Sequence, residues 1–112
     1  MSDRSATDLV ALAERLGAAL DDAFRDSDPR IRQTLALAEE TGEFVQAARR
    51  YLGLARRAGG LDQVAAELAD VAITAFVTAR AFDIDLPAQI TAKADVIATR
   101  GWRDTATTET AR

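Results

Sequence analysis

Apolar residues recur at three- and four-residue intervals through most of this chain, the spacing of helices that bury one face. Leu9, Leu12, Leu16, Leu20, Ala23 and Phe24 form one such stripe and predict a first helix from about Thr7 to Arg25. In "DSDPR", Asp28 can cap a helix N-terminus with Pro29 at its first position, so a second helix is expected from residue 29. A third begins after Gly59-Gly60, at Leu61 or Asp62, and runs to about Phe82. In "FDIDLP", Asp85 is the cap and Pro87 falls in the first turn of a fourth helix, which ends near Arg100-Gly101. No strand-like alternation and no internal repeat interrupts this order. The expected fold class is all-α, a four-helix bundle-like arrangement with helices at about 7–25, 29–52, 61–82 and 86–100.

Where the second helix ends decides what it can share with the third. Unbroken to Ala58, it would hold Glu40 and Glu43 about 25 Å from the turn, while Glu67 and Asp70 would lie only about 11 Å beyond it. Ending it near Tyr51 or Leu52, with Gly53 in the C-terminal position that glycine favours, largely removes the mismatch. "LARRAGG" then becomes a connection carrying Arg56 and Arg57.

Composition narrows the chemistry. At 112 residues the chain suits one domain, placed at 1–103, with the polar stretch 104–112 expected to be a disordered tail. Residues are 48% hydrophobic but only 5% aromatic, so the core must be built from Ala, Leu, Val and Ile. A net charge of −4 argues against a general nucleic-acid binder, yet leaves room for a small phosphorylated ligand at a local basic patch. Cysteine and histidine are both absent, which removes disulfides, thiolate chemistry, the usual zinc sites and any histidine base. Carboxylates are the remaining candidates for chemistry. The start "MSDRSATDLV" has no signal-peptide pattern, and the apolar run 64–79 is too short and too acidic to span a membrane. A cytoplasmic protein is expected.

The acids stand in unusual company. Glu39, Glu40 and Glu43 sit in "LALAEETGEFVQAA" without a Lys or Arg three or four residues away, and Glu67 and Asp70 sit in "VAAELADVAITAFVTA". Each of the pairs Glu40/Glu43 and Glu67/Asp70 has i, i+3 spacing and so shares one helical face. Solvated acids on outer faces are the plain alternative. Against it, the third helix has no broad polar face, because Ala65, Ala66, Leu68, Ala69, Val71, Ala72 and Ile73 surround its two acids. Two like-charged ledges on adjacent helices must protonate, stay wet or hold a cation. Oxygen-only ligands select hard ions, Mg²⁺ or Mn²⁺. Di-iron carboxylate bundles are set aside, because their Glu-x-x-His motif needs a histidine.

"EETGE" followed by "ELAD", with "DIDLP" and the closing Lys93–Arg100–Trp102 region, resembles the MazG-like all-α nucleoside triphosphate pyrophosphohydrolases from about Leu35 to Trp102. That resemblance implies a MazG-type fold, assembled as a dimer or dimer of dimers. It implies Mg²⁺ held by Glu40, Glu43, Glu67 and Asp70, with Mn²⁺ as a substitute, and hydrolysis of nucleoside triphosphates to monophosphate and pyrophosphate in nucleotide-pool housecleaning. Glu39 or Glu40 would take the proton from water; Lys93 and Arg100 would contact phosphate, or else read as a surface charge and a helix-end cation, and Trp102 reads either as a side chain stacked on the substrate's base or as a hydrophobic plug at the end of the fourth helix. Many members carry Asn where this chain has Ile97. Phosphoribosyl-ATP pyrophosphohydrolase shares the acidic pattern, and a non-catalytic oligomerisation or regulatory module is the rival from another class. Arg49, Arg50, Arg56 and Arg57 read as solvated surface or as phosphate contacts.

Overall fold

The computed structural model describes residues 7–101, and within them it holds four α-helices and no strand. They are α1 (Leu9–Ala23), α2 (Pro29–Tyr51), α3 (Leu61–Ala81) and α4 (Leu86–Arg100). The all-α expectation holds. Trp102 and the stretch 104–112 lie outside the described residues.

Local chemistry sets the helix ends. Asp28 caps α2 through its carboxylate, which accepts from Arg30 N at 2.9 Å, and Asp85 caps α4 by accepting from Ala88 N at 3.1 Å. Helix α1 starts two residues later than its periodicity suggested, because Asp8 takes the cap position and accepts from Ala11 N at 3.0 Å. It also stops at Ala23 rather than Arg25: the Ser27 hydroxyl donates to Phe24 O and Arg25 folds back onto Asp22, drawing residues 24–27 into a turn.

Two helices end in the same motif. After α2, Gly53 adopts φ +76°, Gly53 N donates to Arg50 O and Leu54 N to Arg49 O, which satisfies the last carbonyls. After α3, Asp83 takes the equivalent left-handed position at φ +58°, with Asp83 N on Arg80 O and Ile84 N on Ala79 O. A side chain in that region costs about 1 kcal/mol, and Asp tolerates it better than most residues. Asp83→Gly is therefore expected to raise stability by roughly 0.5–1 kcal/mol, read as a higher midpoint in chemical denaturation.

The main packing joins α2 to α3, antiparallel, with α1 against α3; α4 makes no comparable contact. Gln33 and Ala47 are both buried on the face of α2 that meets α3, and Glu40 lies midway between them at the same seven-residue spacing. The Thr78 hydroxyl of α3 donates to Gln33 O at 3.3 Å, which sets the register. Seven residues onward along α2 and seven back along α3, Glu40 meets Val71, one position from Asp70. The acid ledges thus fall at the middle of the helix pair, far from both of its ends.

Helix α1 packs differently from its apolar stripe. Its buried residues are Ala13 and Gly17, while Leu16 and Phe24 stay exposed. A Cβ at Gly17 would stand 2.5 Å from Arg80 Cδ, so the missing side chain lets Arg80 cross the helix surface. Arg80 and Arg32 then converge on Asp21 at 3.0 and 2.9 Å, tying α1, α3 and α2 together through one carboxylate. Among the described residues the buried apolar ones are Ala13, Ala47, Val77 and Ala79, and no large side chain is fully buried. No described helix is long and apolar enough to cross a membrane.

Candidate metal centre

Carboxylates from α2 and α3 meet at the middle of their interface. One oxygen from each of Glu40, Glu67 and Asp70 lies within 4.8 Å of the other two. Oxygens sharing one hard cation at about 2.1–2.4 Å stand no more than about 4.2–4.8 Å apart, so this grouping has the right span. Glu40 and Glu67 are half-buried, and Asp70 opens to solvent.

Two details separate this group from an ordinary acidic surface. Glu40 Oε1 and Glu67 Oε1 are shut off from solvent and have no hydrogen-bond partner among the described residues. Buried polar atoms are nearly always paired, because leaving one bare forfeits the hydration it had in the unfolded chain. Glu67 also has its other oxygen fixed, with Oε2 accepting from Gln63 Nε2 at 2.9 Å. That bond fixes the carboxyl and leaves Oε1 as its unpartnered oxygen.

Glu40 responds to these surroundings. Its carboxyl is pushed above the ordinary glutamate value by burial first, then by the charges of Glu43 and Asp70, a hydrogen bond with Glu43, and the charge of Glu67. The folded chain therefore holds this proton more tightly than the unfolded one. Its stabilising contribution is complete below the unperturbed 4.5 and is lost as pH rises through the higher folded value. Asp21 and Asp28 act in the opposite sense. Hydrogen bonds from Arg32 and Arg80 lower Asp21, and the Arg30 backbone N–H lowers Asp28, so their contributions hold above 3.8 and fade as pH drops below it. Metal-free protein is thus expected to melt at progressively lower temperature as pH rises above 4.5, and Glu40→Gln should flatten that slope. An unchanged slope in the variant would remove Glu40 as its source.

The remaining expected site residues are placed as follows. Glu43 lies beside Glu40 but is not among the three whose oxygens converge. Glu39 is exposed on α2, next in sequence to Glu40. Lys93 and Arg100 are exposed on α4, and since that helix packs only slightly on the rest, this chain alone does not carry them to the carboxylates. Arg100 Nε instead reaches Gly101 O at 3.4 Å. Trp102 falls outside the described residues. Gln63 was not anticipated; its place one helical turn before Glu67 is the sequence signal that marks it.

A roomier cleft, about 620 Å³, lies between α1, the end of α3 and the start of α4. Its charged lining is already committed, Arg80 being paired with Glu14 at 3.2 Å and with Asp21. Arg80 Nε in this cleft is likewise solvent-excluded without a hydrogen bond, but carboxylates stand beside Arg80, whereas no cation pairs with Glu40 or Glu67 among the described residues. Comparisons with family models, with curated proteins and with solved structures gave no match.

Proposed function

We propose that this chain is a divalent-metal-dependent nucleotide pyrophosphohydrolase. The observation that carries the reading is a three-carboxylate convergence of the span a hard cation needs, two of whose members, Glu40 and Glu67, each keep a solvent-excluded oxygen unpartnered among the described residues. Glu40, Glu67 and Asp70 would hold Mg²⁺ or Mn²⁺, with Glu43 next to them as a further oxygen donor. When bound, such an ion supplies positive charge against phosphate oxygens. The order of the acidic motifs, and their similarity to the MazG-like enzymes, point to a nucleoside triphosphate as the substrate.

The chain's own groups then divide the work. Water attacks the α phosphorus, the bond from that phosphorus to the bridging oxygen breaks, and the products are a nucleoside monophosphate and pyrophosphate. Glu39 suits the role of proton acceptor, because it is exposed beside the cluster and is not drawn into it. Glu40 is the second choice, since its proton affinity is raised and its oxygens face the cation position. Lys93, Arg100 and Trp102 would reach the substrate through assembly with a second copy of the chain. The apolar side chains left open on α1, α2 and α3 support such a homo-oligomer, dimeric or tetrameric, working on cytoplasmic nucleotide pools.

A panel of canonical and modified nucleoside triphosphates with Mg²⁺, assayed for pyrophosphate, tests the reading. Pyrophosphate and monophosphate in equal amounts are expected. Orthophosphate without pyrophosphate would mean that another bond is cut. No release from any nucleotide by folded protein would favour the non-catalytic module instead.

A further inference from the structure

Four arginines stand on the last turn of α2 and in the loop beyond it: Arg49, Arg50, Arg56 and Arg57. No Asp or Glu occurs between Glu43 and Asp62, so this stretch is wholly basic in an acidic chain. The Gly53 turn folds the loop back, and all four arginines line one cleft of about 360 Å³, with Gln46 and Ala55. Elsewhere Arg25, Arg30, Arg32 and Arg80 pair with carboxylates; among the described residues none of these four does.

The cleft is partly built in advance. Arg49 donates to Gln46 Oε1 and to Leu54 O, each at 3.1 Å, and so holds the loop against the helix. Arg50 is half-buried, its stem pressed under Gly59, where an added Cβ would stand 3.0 Å from Arg50 Cβ. The guanidinium groups of Arg50, Arg56 and Arg57 have no hydrogen-bond partner among the described residues. The negative end of the α2 dipole accounts for cations on its last turn, but not for Arg56 and Arg57 out on the loop. Guanidiniums gathered around one concavity repel each other until an anion neutralises them, and their planar forks match phosphate oxygens two at a time.

Position adds direction. Arg50 follows Glu43 by seven residues, which keeps both on one edge of α2 about 10 Å apart along the axis. Helical side chains lean toward the N-terminus, the direction in which the carboxylates lie from Arg50. We infer that this cleft is a polyphosphate subsite, taking the terminal phosphates of a nucleotide whose α-phosphate lies at the carboxylate cluster, and afterwards the released pyrophosphate. The orientation rests on the hydrolase reading; anion binding by the arginines does not.

Metal-stripped full-length protein, titrated calorimetrically with inorganic pyrophosphate and tripolyphosphate, tests this. One saturable site per chain is expected, weakened tenfold or more in R56A/R57A and in R50Q, and unchanged in E67Q. Sulfate at equal ionic strength should bind at least tenfold more weakly. Arg56 and Arg57 are exposed, so R56A/R57A is expected to fold, with circular dichroism as the check. Absence of saturable binding, or equal affinity in R56A/R57A, overturns the inference. The two readings fail separately. Arginine-dependent pyrophosphate binding without nucleotide hydrolysis ends the hydrolase reading and keeps the subsite, whereas hydrolysis with an unaltered KM in R56A/R57A ends the subsite alone.

Discussion

Glu67→Gln is expected to reduce nucleotide hydrolysis by a factor on the order of 10²–10³, the scale seen when one preorganised electrostatic group is removed from a catalytic site. The substitution keeps the shape of the side chain but removes the charge. It also puts an amide nitrogen at one of the two oxygen positions, either the unpartnered Oε1 or the Oε2 that accepts from Gln63. A divalent ion at a hundredfold excess over its Kd stabilises the wild-type fold by about 2.7 kcal/mol, on the order of 10 °C in Tm for a chain of this size. That shift should vanish in the variant. Without metal the sign reverses: removing one of the negative charges around Glu40 relieves repulsion, so apo Glu67→Gln should melt above apo wild type. A purely structural glutamate would show neither the lost metal response nor the gain in apo stability. Glu43→Gln should be milder, on the order of tenfold in activity, because its oxygens stand outside the convergence. A variant at Glu67 that kept both metal response and activity would remove the site.

Much of this architecture is written in local signals. Asp28-Pro29, Gly53, the Gly59-Gly60 pair and Asp85 each act within a residue or two of where they stand, so α2, α3 and α4 begin and end close to where punctuation alone puts them. The antiparallel meeting of Glu40 with Glu67 and Asp70 follows from ending α2 at Tyr51, since that makes the two arms comparable in length. What escaped the sequence is of another kind. Glu43 has the same spacing from Glu40 as Asp70 has from Glu67, yet only Asp70 joins the cluster, a difference that periodicity along one helix does not encode. Helix α1 buries Ala13 and Gly17 most fully, with Leu9, Leu12 and Leu20 half-buried and Leu16 exposed, since absent side-chain volume at Gly17 lets Arg80 approach. Asp83 carries no more than a weak hint of its left-handed backbone, the tolerance of Asp for that region. The arginines became one cleft only when the loop closed over the end of α2.

Melting temperature should rise with protein concentration, and charging the outer face of α2 should unfold the chain at micromolar concentration. Ile31, Leu35, Ala38, Gly42 and Val45 recur at i, i+4, i+7, i+11 and i+14 on the side of α2 away from Glu40, and all five are exposed. Leu35 is 65% exposed and Ile31 59%, although every turn of the opposite face packs on α3. Burying a Leu or Ile completely is worth about 1.5–3 kcal/mol, whereas the existing core, three alanines and Val77, offers far less apolar surface. Net stability is commonly about 5–15 kcal/mol, so a fold with so little interior is expected to gain from apolar surface covered by another chain. A second copy fits, because Ala38 and Gly42 at the centre of the stripe permit close approach of two helices while Ile31, Leu35 and Val45 fill the space around them. The variant I31E/L35E leaves Gln33, Glu40 and Ala47 on the α3 side untouched, so any loss of fold is traceable to the outer face. Light scattering coupled to size exclusion should report a dimer or tetramer for wild type, with I31E/L35E monomeric and largely unfolded by circular dichroism. A wild-type monomer whose Tm ignores a hundredfold dilution would break this account and leave Lys93 and Arg100 without a route to the carboxylates.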